Sequence, residues 1–139
     1  MLTALGTSKD GAERGRGLVL VAEDDEQIRT LTARFLTSMG YVVVEAADGR
    51  AAVDLARGSV PDIILLDIDM PGKNGMEVLG ELAPGMPNTG FIMVTGNGDE
   101  QIALACLRLG AFDYVSKPVE LKCLVHSMKV WLLIQSRVH

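Results

Sequence analysis

The run Pro61-Asp62-Ile63-Ile64-Leu65-Leu66-Asp67-Ile68-Asp69-Met70-Pro71-Gly72 decides how the rest of the chain is read. Four consecutive apolar residues, Ile63 to Leu66, show no polar alternation. Such a run fits a strand covered on both faces, as in a parallel sheet flanked by helices. The strand ends abruptly in the Asp67 carboxylate, and Met70-Pro71-Gly72 stops it from continuing. Asp67 is therefore expected at the C-terminal edge of the sheet, where open α/β folds form their ligand sites. Taken alone, an Asp after a strand more often caps a helix or closes a turn. The other strand ends carry the decision.

Working outward, Leu18 to Ala22 is a second buried-strand run, ending in Glu23-Asp24-Asp25-Glu26. Ile28, Leu31, Phe35, Leu36 and Met39 then recur at helical spacing, and Gly40 closes that helix. Tyr41 to Val44 reads as a strand, and Ala51 to Ala56 as a helix ending near Gly58. Met76, Val78, Leu79 and Leu82 give a short helix stopped by Pro84-Gly85. Phe91 to Val94 reads as a strand ending in Thr95, Ile102 to Leu109 as a helix, and Phe112 to Val115 as a strand before Ser116-Lys117-Pro118. A last helix starts near Glu120. Five strands alternating with five helices predict one doubly wound α/β domain over residues 17–136, a five-stranded parallel sheet with helices on both faces. Residues 1–16, glycine-rich and without periodicity, read as a mobile leader.

Composition excludes several classes. A chain of 139 residues fits one domain, and such a domain buries roughly two-thirds of its unfolded surface. With 48% hydrophobic and 22% charged residues, it has the material for a core. A net charge of -5 offers no broad basic field for nucleic acid. No run approaches a membrane span, and the N-terminus lacks the apolar core of a secretion signal. Cys106 and Cys123 are too far apart for a local metal knuckle and read as small core residues of a reducing compartment. A soluble cytoplasmic protein is expected.

Four strands end, at one edge, in chemically active groups: Glu23-Asp24, Asp67, Thr95 and Lys117. In a parallel sheet these ends face the same way, so groups 43, 28 and 22 residues apart meet in one crevice. Three neighbouring carboxylates repel, and a hard cation with oxygen ligands relieves them. Mg2+ suits the set best, because it accepts a few carboxylates and keeps waters that a phosphate can displace. With its charge partly neutralised, an Asp can attack phosphorus and form an aspartyl phosphate. Lys117 would pair with the transferred phosphoryl oxygens, and the Thr95 hydroxyl would donate to another.

On these residues the chain resembles the response-regulator receiver (CheY-like) domains of two-component signal transduction. The matching motifs are Val21-Ala22-Glu23-Asp24, Leu65 to Gly72 with Gly75, Val94-Thr95-Gly96, and Gly110 to Pro118. The resemblance implies strand order 2-1-3-4-5 and Asp67 as the phospho-acceptor from a sensor histidine kinase or phosphotransfer protein. It implies Glu23, Asp24 and Asp67 as holders of Mg2+ (or Mn2+ in its place), completed by the Asp69 backbone carbonyl. Thr95 and Tyr114 would be the switch pair, and the bond before Pro118 would be cis, aiming Lys117. Such a domain is a signalling module that acts only on its own phosphorylation state. With no output domain before His139, it would be a single-domain regulator or a receiver from something longer, such as a hybrid kinase.

Several residues carry other readings. The metal pair could be Asp24 and Asp25, although a strand ending at Ala22 favours Glu23 and Asp24 and leaves Asp25 to cap the helix. Tyr114 alone would be an ordinary strand aromatic. Gly96-Asn97-Gly98 lacks the Lys-Ser/Thr of a P-loop and is a turn. His126 and His139 are given no role, and the methionines read as core filler. Gly96 should leave the phosphoryl site open, while Asp69 and Asn97 should flank the attacking water and tune hydrolysis. In the last helix Leu121, Leu124, Val125, Met128, Trp131 and Leu132 form the core stripe. Cys123, Val130, Leu133 and Ile134 lie off it, either packed or forming a surface for homodimer pairing through the last two helices. A haloacid-dehalogenase-like phosphatase also uses Asp-x-Asp, a Thr, a Lys and an acidic pair, but there the Asp-x-Asp comes first and the acidic pair last. A receiver used only for docking, never phosphorylated, is a further possibility.

Overall fold

The computed structural model describes residues 15–96 and 98–138. The leader up to residue 14, Asn97 and His139 lie outside the described residues. Strands β1 (Leu18–Ala22), β2 (Val42–Ala46), β3 (Ile63–Asp67), β4 (Gly90–Thr95) and β5 (Asp113–Ser116) form one sheet, ordered β2-β1-β3-β4-β5. Every pairing is parallel. The helices are α1 (Glu26–Ser38), α2 (Gly49–Ser59), α3 (Gly75–Leu82), α4 (Glu100–Arg108) and α5 (Leu121–Val138). This is the expected doubly wound fold, with strand order 2-1-3-4-5.

The unbroken apolar runs serve two cores at once. Because side chains alternate across a strand, Leu20, Ile64, Leu66, Phe91 and Met93 point to one face, where α2, α3 and α4 pack. Val19, Val21, Ile63, Leu65 and Ile92 point to the other, where α1 and α5 pack through Leu36, Leu124, Val125 and Met128. The edge strands β2 and β5 are only half buried, as edges should be.

Helices α1, α2 and α3 start on side-chain caps. Asp25 accepts from the Ile28 N–H at 3.1 Å and Asp48 from the Ala51 N–H at 2.8 Å. Asn74 and Glu77 cap α3 reciprocally. At Gly75 the helix presses so closely on β3 that a Cβ would collide with the Asp67 carbonyl. Glycine is the residue that permits this approach.

Boundaries and some burial assignments differ from the expectation. β2 starts at Val42, because Tyr41 is taken by an isolated bridge to Gly15. Arg16 N–H also donates to the Gly40 carbonyl at 2.9 Å, which ties residues counted with the leader to the fold. α2 runs past Gly58 to Ser59 and is ended by Val60 in the left-handed region (φ 46). After α3 the chain makes a further 3-10 turn at Ala83–Gly85, since Pro84 is tolerated in a first turn. Ile28 and Leu31, expected in the core stripe of α1, are 43% and 65% exposed. The α1 residues that meet the sheet are one turn further on. Cys123 is exposed rather than core, whereas Cys106 is buried. The stripe of α5 is as read: Leu124, Val125 and Met128 are buried, while Val130, Leu133 and Ile134 are exposed. Among the described residues no helix is long and apolar enough to cross a membrane.

Candidate acceptor site at the sheet edge

Register brings the strand ends together. Ala22 lies beside Leu66, Asp67 beside Val94, and Thr95 beside Ser116. The residues that follow β1 and β5, Glu23 and Lys117, therefore flank Asp67. The chain leaves β1 toward β2 but enters β3 on the opposite side, so a crevice opens between β1 and β3. Asp67, 1% exposed, is its floor.

Lys117 Nζ sits 3.1 Å from Asp67 Oδ1, and the Asp69 N–H donates to the same oxygen at 3.2 Å. The other oxygen, Oδ2, is buried and accepts no hydrogen bond. Carboxylate oxygens of Glu23, Asp24 and Asp67 lie within 4.8 Å of one another, a group that could hold a metal ion. A buried carboxylate oxygen without a donor is costly, and a cation would relieve it. The residues present therefore fit Mg2+, a hard ion served by oxygen ligands.

The electrostatics agree. Burial pushes the Glu23 carboxyl up to about 7, against the Asp25 N–H that donates to it, and the adjacent Asp67 adds to the rise. Burial pulls the Lys117 ammonium down, but the pair with Asp67 and the fields of Glu23 and Asp69 outweigh it, so its pKa is raised. The pocket thus has a surplus of negative charge with a single lysine set against it.

Thr95 is buried and directs its hydroxyl at the Val115 carbonyl, a long contact of 3.5 Å. Tyr114 is half-buried and packs on the core under α4. The Lys117–Pro118 bond is cis. Asp25 caps α1 and is not part of the metal-capable cluster. Asp69 is exposed, with its N–H turned to Asp67. Asn97 lies outside the described residues. The space beside Gly96, expected to be open, holds the Asp99 carboxylate, 2.8 Å from where a Cβ would stand.

Two features escaped the sequence reading. Arg29 Nη1 donates to the Glu23 carbonyl at 2.8 Å, and its Nε pairs with Glu45 at 3.4 Å. The signal was a cation in the first turns of a helix, where the dipole disfavours it. The second is a groove of about 610 Å³ running from the pocket, lined by Glu23, Ile28, Leu31, Lys117, Val119 and Leu121 among others. It accounts for the exposed apolar residues of α1.

A family model described as the response regulator receiver domain matches residues 19–129. The chain belongs to that family. This receiver domain is 33% identical over 120 residues to a cyclic di-GMP phosphodiesterase of Thermotoga maritima, covering 86% of this chain and 32% of that protein. It is 32% identical over 106 residues to the DNA-binding transcriptional regulator NtrC of Klebsiella pneumoniae, covering 76% of this chain and 23% of that protein. The receiver thus spans about a third or less of these curated relatives. Among solved structures, a response regulator receiver domain protein from Clostridium thermocellum superposes with a TM-score of 0.84 at 25% identity, over 88% of this chain and 98% of that one. NtrX from Brucella abortus, in complex with ATP, gives 0.81 at 27% identity, over 87% of this chain and 28% of that one.

Proposed function

We propose that this receiver domain, at residues 17–136, accepts a phosphoryl group on Asp67 from the phosphohistidine of a sensor histidine kinase or a phosphotransfer protein. The observation that supports this is the Lys117–Asp67 pair inside the Glu23, Asp24 and Asp67 cluster, with one Asp67 oxygen left without a donor. Those three carboxylates and the Asp69 carbonyl would hold Mg2+, or Mn2+ in its place. When bound, the ion supplies neutralisation of the carboxylates and of the incoming phosphoryl oxygens.

The remaining steps belong to the chain. An Asp67 oxygen attacks phosphorus, the bond to the donor imidazole nitrogen breaks, and the imidazole leaves with the electron pair. Lys117 passes from Asp67 to the phosphoryl oxygens and holds them. Thr95 exchanges its long contact with Val115 for a bond to the phosphoryl group, and Tyr114 follows inward behind it. Asp69 flanks the water that later hydrolyses the acyl phosphate; the tuning role read for Asn97 falls outside the described residues. The chemistry is positioning and charge compensation, so the domain acts on its own Asp67 and turns over no separate substrate.

The apolar groove beside Lys117 gives a donor protein a surface next to the acceptor. Exposed Leu104, Val130, Leu133 and Ile134 on α4 and α5 supply the output face, which pairs two copies or binds another protein. With its acidic charge the domain contacts no nucleic acid directly, and its free thiols suit the cytoplasm. Incubation with acetyl phosphate and Mg2+, read by intact mass, tests the acceptor reading. One phosphoryl group should add to wild type and none to Asp67→Asn. Steady release of phosphate from small esters would point instead to a phosphatase.

A further inference from the structure

Arg29 occupies the fourth position of α1, where the helix dipole disfavours a cation. Its side chain is nonetheless drawn in, 16% exposed against 44% for its partner Glu45. Glu45 stands opposite Val21, one residue before the end of β2. The next residue, Ala46, accepts the Glu23 N–H at 3.0 Å. Arg29 takes the Glu23 carbonyl at 2.8 Å. Glu23 is therefore gripped on both sides, its N–H by β2 and its carbonyl by α1. A guanidinium suits this task because its planar fork presents donors in two directions at once. The peptide so fixed joins Glu23 to Asp24, which lie with Asp67 in the metal-capable cluster.

We propose that Arg29 is a positioning residue for the cation pocket, holding the Glu23–Asp24 peptide in the one orientation that aims both carboxylates at a small ion. The inference rests on the cation-dependent acceptor function proposed above. Without the guanidinium the peptide can rotate, and repulsion drives the two carboxylates apart. Mg2+ demands near-ideal octahedral geometry, whereas Ca2+ accepts irregular shells. A loosened pair therefore loses Mg2+ in preference to Ca2+. General destabilisation of the fold would weaken both ions alike.

The test is calorimetric titration of the full chain with Mg2+ and, separately, with Ca2+. Wild type is compared with Arg29→Ala, Arg29→Lys and Glu45→Gln. Arg29→Ala should weaken Mg2+ by about tenfold or more, the size of effect that supporting residues have on metal sites. Its Ca2+ affinity should fall by less than about threefold. Arg29→Lys should recover part of the loss, since an ammonium can still donate to the Glu23 carbonyl. Glu45→Gln, at an exposed position, should keep the fold and weaken Mg2+ by about threefold. A Mg2+ affinity in Arg29→Ala within about twofold of wild type, or equal losses of both ions, would overturn the proposal. If Arg29→Ala does not fold, unchanged Mg2+ affinity in Glu45→Gln and Arg29→Lys overturns it. A wild type that binds no Mg2+ brings down the acceptor reading itself, a failure distinct from these.

Discussion

Two aspartates bracket β3, and they are used in opposite ways. Asp62, before the strand, spends its carboxylate on the fold: Oδ2 accepts the Leu18 N–H at 2.8 Å. Its backbone carbonyl accepts the Gly90 N–H at 2.9 Å and the Trp131 indole at 3.0 Å. Asp67, five residues on, is more deeply buried, yet its Oδ2 has no donor and its neighbours are carboxylates. One end of the strand is saturated with partners and mechanically fixed. The other keeps unspent electrostatic energy. A site poised for reaction pays in stability, and the saturated end of the same strand supplies what it lacks.

The contrast can be broken most forcefully at Lys117. Lys117→Ala should slow phosphoryl uptake from acetyl phosphate by about 100-fold per folded molecule, as loss of an oxyanion partner does, and should lower thermal stability without Mg2+, because Asp67 loses its counter-charge. A rate close to wild type would remove Lys117 from the chemistry. At the other end, Asp62→Ala should cost about 1–3 kcal/mol, because the buried Leu18 N–H loses its acceptor. Its uptake rate per folded molecule should stay at the wild-type level. A stable Asp62→Ala that no longer takes the phosphoryl group would show that the two ends are not separate in function.

The smallest effect sharpens the comparison through pH. Glu23 holds its proton up to about pH 7 in the folded state but releases it near 4.5 when unfolded. Unfolding between these values therefore releases a proton, so without Mg2+ stability should fall as pH rises from 4.5 to 7 and level off above. Urea midpoints across that range should show the slope in wild type, and Glu23→Gln should lack it. Added Mg2+, which binds the ionised cluster, should reverse its sign.

Which residues share the acidic sheet edge was largely legible in the sequence. Ile63 to Leu66 has no polar face, and such a strand belongs only in the middle of a covered sheet. Once the strands are parallel, their last residues share an edge, and Glu23, Asp67, Thr95 and Lys117 follow. What stayed hidden depends on partners that spacing does not encode. Ile28 and Leu31 carry the same helical period as Phe35 and Leu36, and periodicity does not tell a core from a groove wall. Arg29 acts on a backbone carbonyl six residues earlier and on Glu45 of another strand. Val60 ends α2 in a conformation that a β-branched side chain rarely adopts, so the glycine at 58 drew the boundary instead. Asp99 was invisible as a neighbour of Gly96 because loop side chains follow no period.

Trp131 is the only tryptophan in the chain. Its ring lies on Gly90, 2.6 Å from where a Cβ would stand, and 5.1 Å from the Phe112 ring, at the end of β4 farthest from Thr95. The molecule therefore carries an optical probe at the end of the sheet opposite the acidic crevice. Indole emission should ignore an ion merely entering the acidic crevice and respond only when rearrangement travels down α5, so a fluorescence trace separates occupancy from signalling.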